Sequence, residues 1–353
     1  MIGDKLRAAR FRAGLSLRAL EEKIEKRVTA QAIGKYERGD MQPTPQILEV
    51  LVKALEVPIE FLMLQHSIEL GAIEFRENTL RSKAEERYVE STIYEHVSKY
   101  LQVEELLDVF LIDWDKPRQY PFPIRQMSDA EWASHKIRDD WSLGNDPIPN
   151  LSEFLEERGF KIIVEQLPES IAGVTCFVNT IKGWKVPVIV INNKITGERQ
   201  RFTIAHELGH LLLEVKDRHI NLEKACDKFA SALLMPDRFL WAALGKSRNS
   251  ISIGELVSLK SSLGVSVQAI VYRCKDLGII NDYTYRLLYR EFANRGWLKP
   301  PYEEPNKIKL EEPQRFRRLC LRALAEGLID DSMASGLLGI AENELRLEFN
   351  CLN

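Results

Sequence analysis

The sequence predicts a multidomain chain, mainly α with a small β-sheet. Three observations lead there. Its 353 residues suit two or three domains. The first 65 residues carry apolar positions at three-to-four spacing in short bursts, the mark of small helices. Three β-rich runs then stand directly ahead of a nearly apolar helical stretch, and helical periodicity fills most of the remainder. A composition of 45% hydrophobic and 29% charged residues is ordinary for a soluble globular chain with sizeable cores. The formal net charge is -3, so any DNA contact has to come from a local patch. No apolar run approaches 18 residues, so no membrane span is expected, and "MIGDKLRAAR" lacks the apolar core of a secretory leader. Five scattered cysteines without a CxxC read as reduced thiols, hence a cytoplasmic protein.

Residues 1–66 are the first expected domain. Gly14, Gly39 and the pair Pro43 and Pro45 divide it into four or five helices. Ser16, Thr29 and Thr44 stand where N-caps belong. Leu6, Leu20, Ile24, Ile33, Leu48, Leu51 and Phe61 form the expected core. Basic residues outnumber acidic ones from Lys5 to Arg38, among them Arg7, Arg10, Arg12, Arg18, Lys26 and Arg27. The stretch "TAQAIGKYERG" is expected to turn Ile33 and Tyr36 inward and to present Ala30, Gln31, Gly34 and Lys35 on one face. Gln reads adenine, and Lys and Arg hold phosphate or guanine. Thr29, Ala30, Gln31, Lys35 and Arg38 are therefore the candidate DNA-binding residues. A small interaction domain with a solvated basic face is the alternative. From residue 3 to 64, "LRAARFRAGLSLRALEEK", "AQAIGKYERGDMQPTPQILEVLVKALEV" and "FLM" resemble the Cro/repressor-type (XRE) helix-turn-helix family. The resemblance implies an all-α helix-turn-helix domain that binds double-stranded DNA. The turn "EKRV" is longer than usual and lacks the customary Gly, and Leu17 stands where the family often has a Gln.

Residues 67–144 are expected to be a helical linker region. Its main feature is one long amphipathic helix over 84–110, with Ile93, Val97 and Leu101 on the buried side. Pro117, Pro121 and Pro123 interrupt it. Helix resumes at "MSDAEWASHKIRDD", stops at Gly144 to Pro149 and restarts after Asn150. Trp132, His135 and Trp141 read as packing.

Residues 145–295 hold the chemistry. "FKIIVEQL", "IAGVTCFVN" and "VPVIVINN" read as a small sheet. Pro187 suggests that its strand begins late or lies at an edge, where "VPVIVINN" would be open to an extended substrate. His206-Glu207-Leu208-Gly209-His210 fits H-E-x-x-H. Residues four apart share a helix face, so both imidazoles can reach one ion while Glu207 projects beside them as a base. The bland alternative is a buried helix with two satisfied histidines. However, its flanks, Phe202, Ile204, Leu208 and Leu211 to Leu213, make the helix apolar nearly all round, and metal-free burial of two His and a Glu is costly there. A third ligand has to come from downstream: Glu214, Asp217, His219, Glu223 or Asp227. "LEKACDKFASALLMP" reads as a packed helix with Glu223 at its start. That suits a carboxylate ligand, with Asp227 one turn on to steady an imidazole. His219, in the polar loop "VKDRHIN", is the rival, and Cys226 is read as packing.

"RFTIAHELGHLLLE" followed by "LEKACDKFASALLMP" resembles the ImmA/IrrE family of metallopeptidases, with a lead-in at "NDPIPNLSEFLEERGFKI". The resemblance implies an α+β zincin-like metallopeptidase domain, here of gluzincin-like type. The same resemblance implies that Zn2+ is held on His206, His210 and Glu223, with Asp227 behind them and Glu207 as the catalytic base. Residues 296–353 are expected to be a helical C-terminal extension that opens with a Pro- and charge-rich linker, "GWLKPPYEEPNKIKLEEP". The implied function is a zinc endopeptidase that cleaves a regulatory protein, an XRE-type repressor, to derepress genes. The alternative is a transcriptional regulator or antitoxin that binds its own promoter and a toxin partner, with a structural or vestigial metal site.

Overall fold

The computed structural model describes residues 2–55, 57, 59, 62, 70–75, 82–109, 114–180 and 183–350. The fold is mainly α around one small sheet. The head has four helices: α1 (Ile2–Arg12), α2 (Leu17–Lys23), α3 (Ala30–Arg38) and α4 (Pro45–Leu55). Ser16, Thr29 and Thr44 accept from the amides of Ala19, Ala32 and Ile47, so each stands as an N-cap. Leu6, Leu20, Ile24, Ile33, Leu48 and Leu51 share one core, while Phe61 and Cys351 lie outside the described residues. Glu25 and Lys26, at φ 55 and 58, make the turn into α3 where a glycine would do so without strain.

The expected basic patch is smaller than the sequence suggested. Arg10 is buried on Glu37, 2.5 Å from Nε to Oε1, and Arg12 pairs with Glu95 of the next long helix. Arg10 is a strut within the molecule, because a guanidinium sunk beside a carboxylate cannot also reach phosphate, while Arg12, about a third exposed, is drawn toward Glu95.

Strand β1 (Leu70–Phe75) precedes that long helix, α5 (Lys83–Leu106), whose start is fixed by a Ser82–Glu85 capping box. β2 (Phe122–Ile124), α6 (Met127–Asp140) and α7 (Leu151–Glu156) follow. Trp141 is buried, but Trp132 is 41% exposed and only partly a packing residue. Next come β3 (Lys161–Glu165), β4 (Gly173–Thr180) and β5 (Lys185–Asn192). The sheet order is β1-β4-β5-β3, antiparallel except for β3 beside β5. Both faces are apolar at period two. Val174, Cys176 and Val178 of β4 and Val188 and Val190 of β5 pack under Val89, Ile93, Val97 and Leu101 of α5. Phe177, Ile189 and Ile191 face the larger core on the other side.

β5 is an interior strand, which overturns its expected role as a free edge for substrate. Pro187 is tolerated because β3 joins only from Val188 onward, leaving β5 flanked on one side at that residue.

The larger core is built by α8 (Gly197–Leu212), α9 (Leu222–Leu234) and α6. β6 (Leu213–Val215) runs between α8 and α9 and pairs with β2. Helices α10 (Asp237–Leu244), α11 (Ile253–Leu263), α12 (Val267–Asp276) and α13 (Asp282–Asn294) extend the same core. The last three, α14 (Arg315–Ala325), α15 (Asp331–Leu338) and α16 (Glu342–Asn350), pack on Tyr100, Val103 and Leu107 at the end of α5. Between α13 and α14 the expected linker is instead a packed strap, with Glu304 and Glu311 buried. No helix among the described residues is long and apolar enough to cross a membrane.

Candidate metal centre

α8 begins at Thr196, whose hydroxyl accepts from the Arg199 amide. Three turns on, it carries His206 and His210 on one face. Their Nε2 atoms lie 3.1 Å apart. α9 begins at Asn221, whose side chain caps the Lys224 amide, so Glu223 sits in the first turn, where backbone dipoles favour a carboxylate. The two helices approach closely at Gly209, where an added Cβ would stand 3.2 Å from Cys226 Cα, Cβ and Sγ. That approach brings Glu223 Oε2 to 3.3 Å from His206 Nε2, and Glu223 Oε1 to 3.4 Å from His210 Nε2.

Three donors bound at 2.0–2.1 Å in a tetrahedron stand about 3.3 Å apart. The imidazole separation of 3.1 Å is close to that spacing, each Glu223 oxygen faces one imidazole at 3.3 or 3.4 Å, and two imidazoles with one carboxylate are a donor set that zinc accepts. Among the described residues, His206, His210 and Glu223 are the group whose donor atoms converge in this way. His219 is exposed in the loop ahead of α9, its amide on Asp217, and does not join them. Cys226 is buried in the helix contact.

Asp227 Oδ1 is 2.8 Å from His206 Nδ1. A proton on Nδ1 satisfies that contact and turns the Nε2 lone pair toward the cluster. Burial of His206 disfavours its charge, but the Asp227 hydrogen bond and the fields of Glu207, Asp227 and Glu223 outweigh it, and its pKa is raised. Glu207 is 3% exposed. Its neighbour is Gly173 at the start of β4, where a Cβ would come within 3.1 Å of Glu207 Cγ and Oε1. A cleft of about 1180 Å³ opens over His206, Glu207 and Glu223. Part of its lining comes from the strap, including Tyr302 and Ile308. Nothing along the chain points to these strap residues, which stand about 100 positions from the motif; for Gly173 the only signal is a glycine within a strand.

In the head, Gln31 and Lys35 of α3 face solvent. Thr29 is committed to its cap, Ala30 is half-buried, and Arg38 pairs with Asp40 at 2.8 Å. Gly34 is not on the exposed face. It is buried where a Cβ would meet Arg38 and Leu17, so it lets α2 and α3 approach.

Residues 155–275 match the family model of the IrrE N-terminal-like domain, a metallopeptidase-type family. That span includes the three converging donors, Glu207 and Asp227. Residues 6–62 match a helix-turn-helix family model, spanning most of α1 and all of α2 to α4. A search of curated proteins gave no match.

Proposed function

Because the chain carries a helix-turn-helix domain ahead of an IrrE-like metallopeptidase-type domain, we propose that it is a zinc endopeptidase acting on a regulatory protein, a repressor of helix-turn-helix type, and that the cut derepresses genes. The observation that carries this reading is the convergence of His206, His210 and Glu223 at zinc-ligand spacing, with Glu207 buried beside them. When bound, zinc supplies Lewis-acid activation of water and of the scissile carbonyl. Glu207 takes a proton from the attacking water on its carboxylate and returns it to the leaving nitrogen, so that water is divided between the two new termini. Asp227 holds His206 in the tautomer that leaves Nε2 free. Gly173 and Thr203 stand beside Glu207 on the cleft lining, and Glu207 is 3% exposed.

The head supports double-stranded DNA as a partner. In this reading Gln31 contacts bases and Lys35 and Arg38 contact phosphates, while Thr29 and Ala30 serve the helix start.

The test is incubation of the zinc-loaded chain with repressors encoded beside its gene. A defined cut is expected. Glu207→Gln should retain zinc and lose about 10²–10⁴-fold in cleavage rate, whereas Glu223→Gln should lose zinc. Full cleavage by the Glu207→Gln chain would overturn the assignment.

A further inference from the structure

The cleft over the metal centre has a wall from far along the chain. Tyr302, Ile308 and Leu310 of the strap line it, with Phe202 of α8. This wall is built in. The ammonium of Lys260, 1% exposed, takes Glu304 at 2.9 Å and Glu198 at 2.7 Å. Glu198 also accepts the Ile308 amide at 3.1 Å. Gln200 and the Glu311 backbone exchange two hydrogen bonds, of 2.9 and 2.6 Å, and Arg201 pairs with the Glu311 carboxylate. At Gly197 an added Cβ would stand 2.3 Å from the Ile308 carbonyl oxygen. The strap is therefore fixed to the first turns of the helix that carries both histidines.

The charges of the cleft outside the metal centre divide in two. Glu198, Lys260 and Glu304 satisfy one another within the wall. Lys194, Arg199 and Lys307 are exposed lining residues, and no acidic group among the described residues lies within ion-pair distance of any of them. Glu169 is the remaining acid of the lining. Three cations against one acid, beside an apolar wall, is an uneven rim in a chain of net charge -3.

We propose that Lys194, Arg199 and Lys307 form a subsite for an acidic side chain of the substrate, and that the strap wall takes an apolar side chain next to it. The inference rests on the peptidase reading and names the peptide class for that site. The occupant is a peptide rather than nucleic acid, because the same cleft runs over His206, Glu207 and Glu223, and Phe202, Ile308 and Leu310 add an apolar wall beside the cations that suits a side chain.

The test uses the full zinc-loaded chain carrying Glu207→Gln, which separates binding from cleavage. Three labelled decapeptides differ only in a Leu-Glu, Leu-Ala or Leu-Lys pair at the centre, and binding is read by fluorescence anisotropy. Exposed ion pairs each contribute about 0.2–1 kcal/mol, so the three cations together should favour the Leu-Glu peptide about tenfold over Leu-Lys. The order should reverse when Lys194→Glu and Lys307→Glu are added, and shrink in high salt. Equal binding of the three peptides, no binding, an unchanged order in the charge-reversed chain, or displacement of the Leu-Glu peptide by duplex DNA would each overturn the subsite. Failure of the peptidase reading looks different: acid preference in binding with no cleavage of the bound peptide by the chain with Glu207 intact.

Discussion

At Gly209 one missing methyl lets Glu223 stand beside the two histidines. An added Cβ would meet Cys226 at 3.2 Å, tighter than packed carbons normally sit, so α9 would have to shift by a few tenths of an ångström. Metal sites tolerate only about 0.2 Å in ligand distance. Gly209→Ala is therefore expected to weaken zinc binding about tenfold or more in chelator competition, at an overpacking cost of about 1–3 kcal/mol. Adding Cys226→Ala should restore only part of either, because it removes Sγ and leaves Cα and Cβ of residue 226 at the same 3.2 Å. If zinc affinity is unchanged in Gly209→Ala, the close approach does not set the ligand geometry. The motif drew attention to His206, Glu207 and His210 and treated Gly209 as a spacer. Its role is invisible along the chain because it depends on a residue 17 positions later. The reverse holds at Glu25 and Lys26, whose φ of 55 and 58 a longer turn without glycine already hinted at. Lys26→Gly should stabilise the head by about 0.5–1 kcal/mol in chemical denaturation, since the left-handed conformation costs an L side chain about 1–2 kcal/mol, part of which glycine loses again as entropy.

At the scale of elements, α8, α9 and the three strands before them were legible, because each announces itself by local periodicity and caps. The strap was not, since Pro, Glu and Lys in "GWLKPPYEEPNKIKLEEP" read as solvated, and only the fold supplies Lys260 and Arg201 to neutralise Glu304 and Glu311. The same limit applies to α6, α9 and α12, which are joined by charges that pattern alone cannot pair. Glu131 on α6 is partly buried, which works against its charge, yet Arg273 of α12 and Lys228 of α9 hold its pKa down to about 2. A folded-state pKa below the ordinary carboxylate value means stability that is present above about pH 4.5 and lost as pH falls toward 2. Glu131→Gln should therefore flatten the acid branch of the stability curve between those values. It should also cost about 3 kcal/mol near neutrality, the lower end for breaking a buried pair, because Arg273 keeps Asp276 and the Met235 carbonyl. An acid transition identical to that of the unaltered chain would show that this junction does not tie the three helices.

For the whole molecule, the informative feature is how the head is mounted. Helix α1 packs against α5, and α5 is also the roof of the sheet that lies under α8. Arg12 ties the two helices through Glu95, which Lys99 also holds, so burial is outweighed and the Glu95 pKa is lowered to about 2. Amphipathic spacing over 84–110 said that α5 buries a face, but not that the partner on one side is the four-stranded sheet and on another a helix-turn-helix head. Meanwhile Gln31 and Lys35 of α3 stay exposed, so the mounting leaves that face of the helix-turn-helix head open. If the mounting is firm, zinc binding should stabilise head and body together. At a thousand times its dissociation constant a ligand adds about 4 kcal/mol to the state that binds it. Chelation of zinc is then expected to lower the melting of the head by an amount comparable with that of the body, in calorimetry of the intact chain. Arg12→Ala removes the tie without touching the metal centre or the exposed face of α3. In that variant, where the packing of α1 on α5 and of Arg87 over Phe11 remains, chelation should lower the head's transition less than in the unaltered chain, while zinc affinity and the salt dependence of DNA binding stay as they were. A head that melts independently of zinc even with Arg12 in place would mean that the two domains share a chain but not a folding equilibrium, and that binding at the His206, His210 and Glu223 cluster does not reach the helix-turn-helix head through α5.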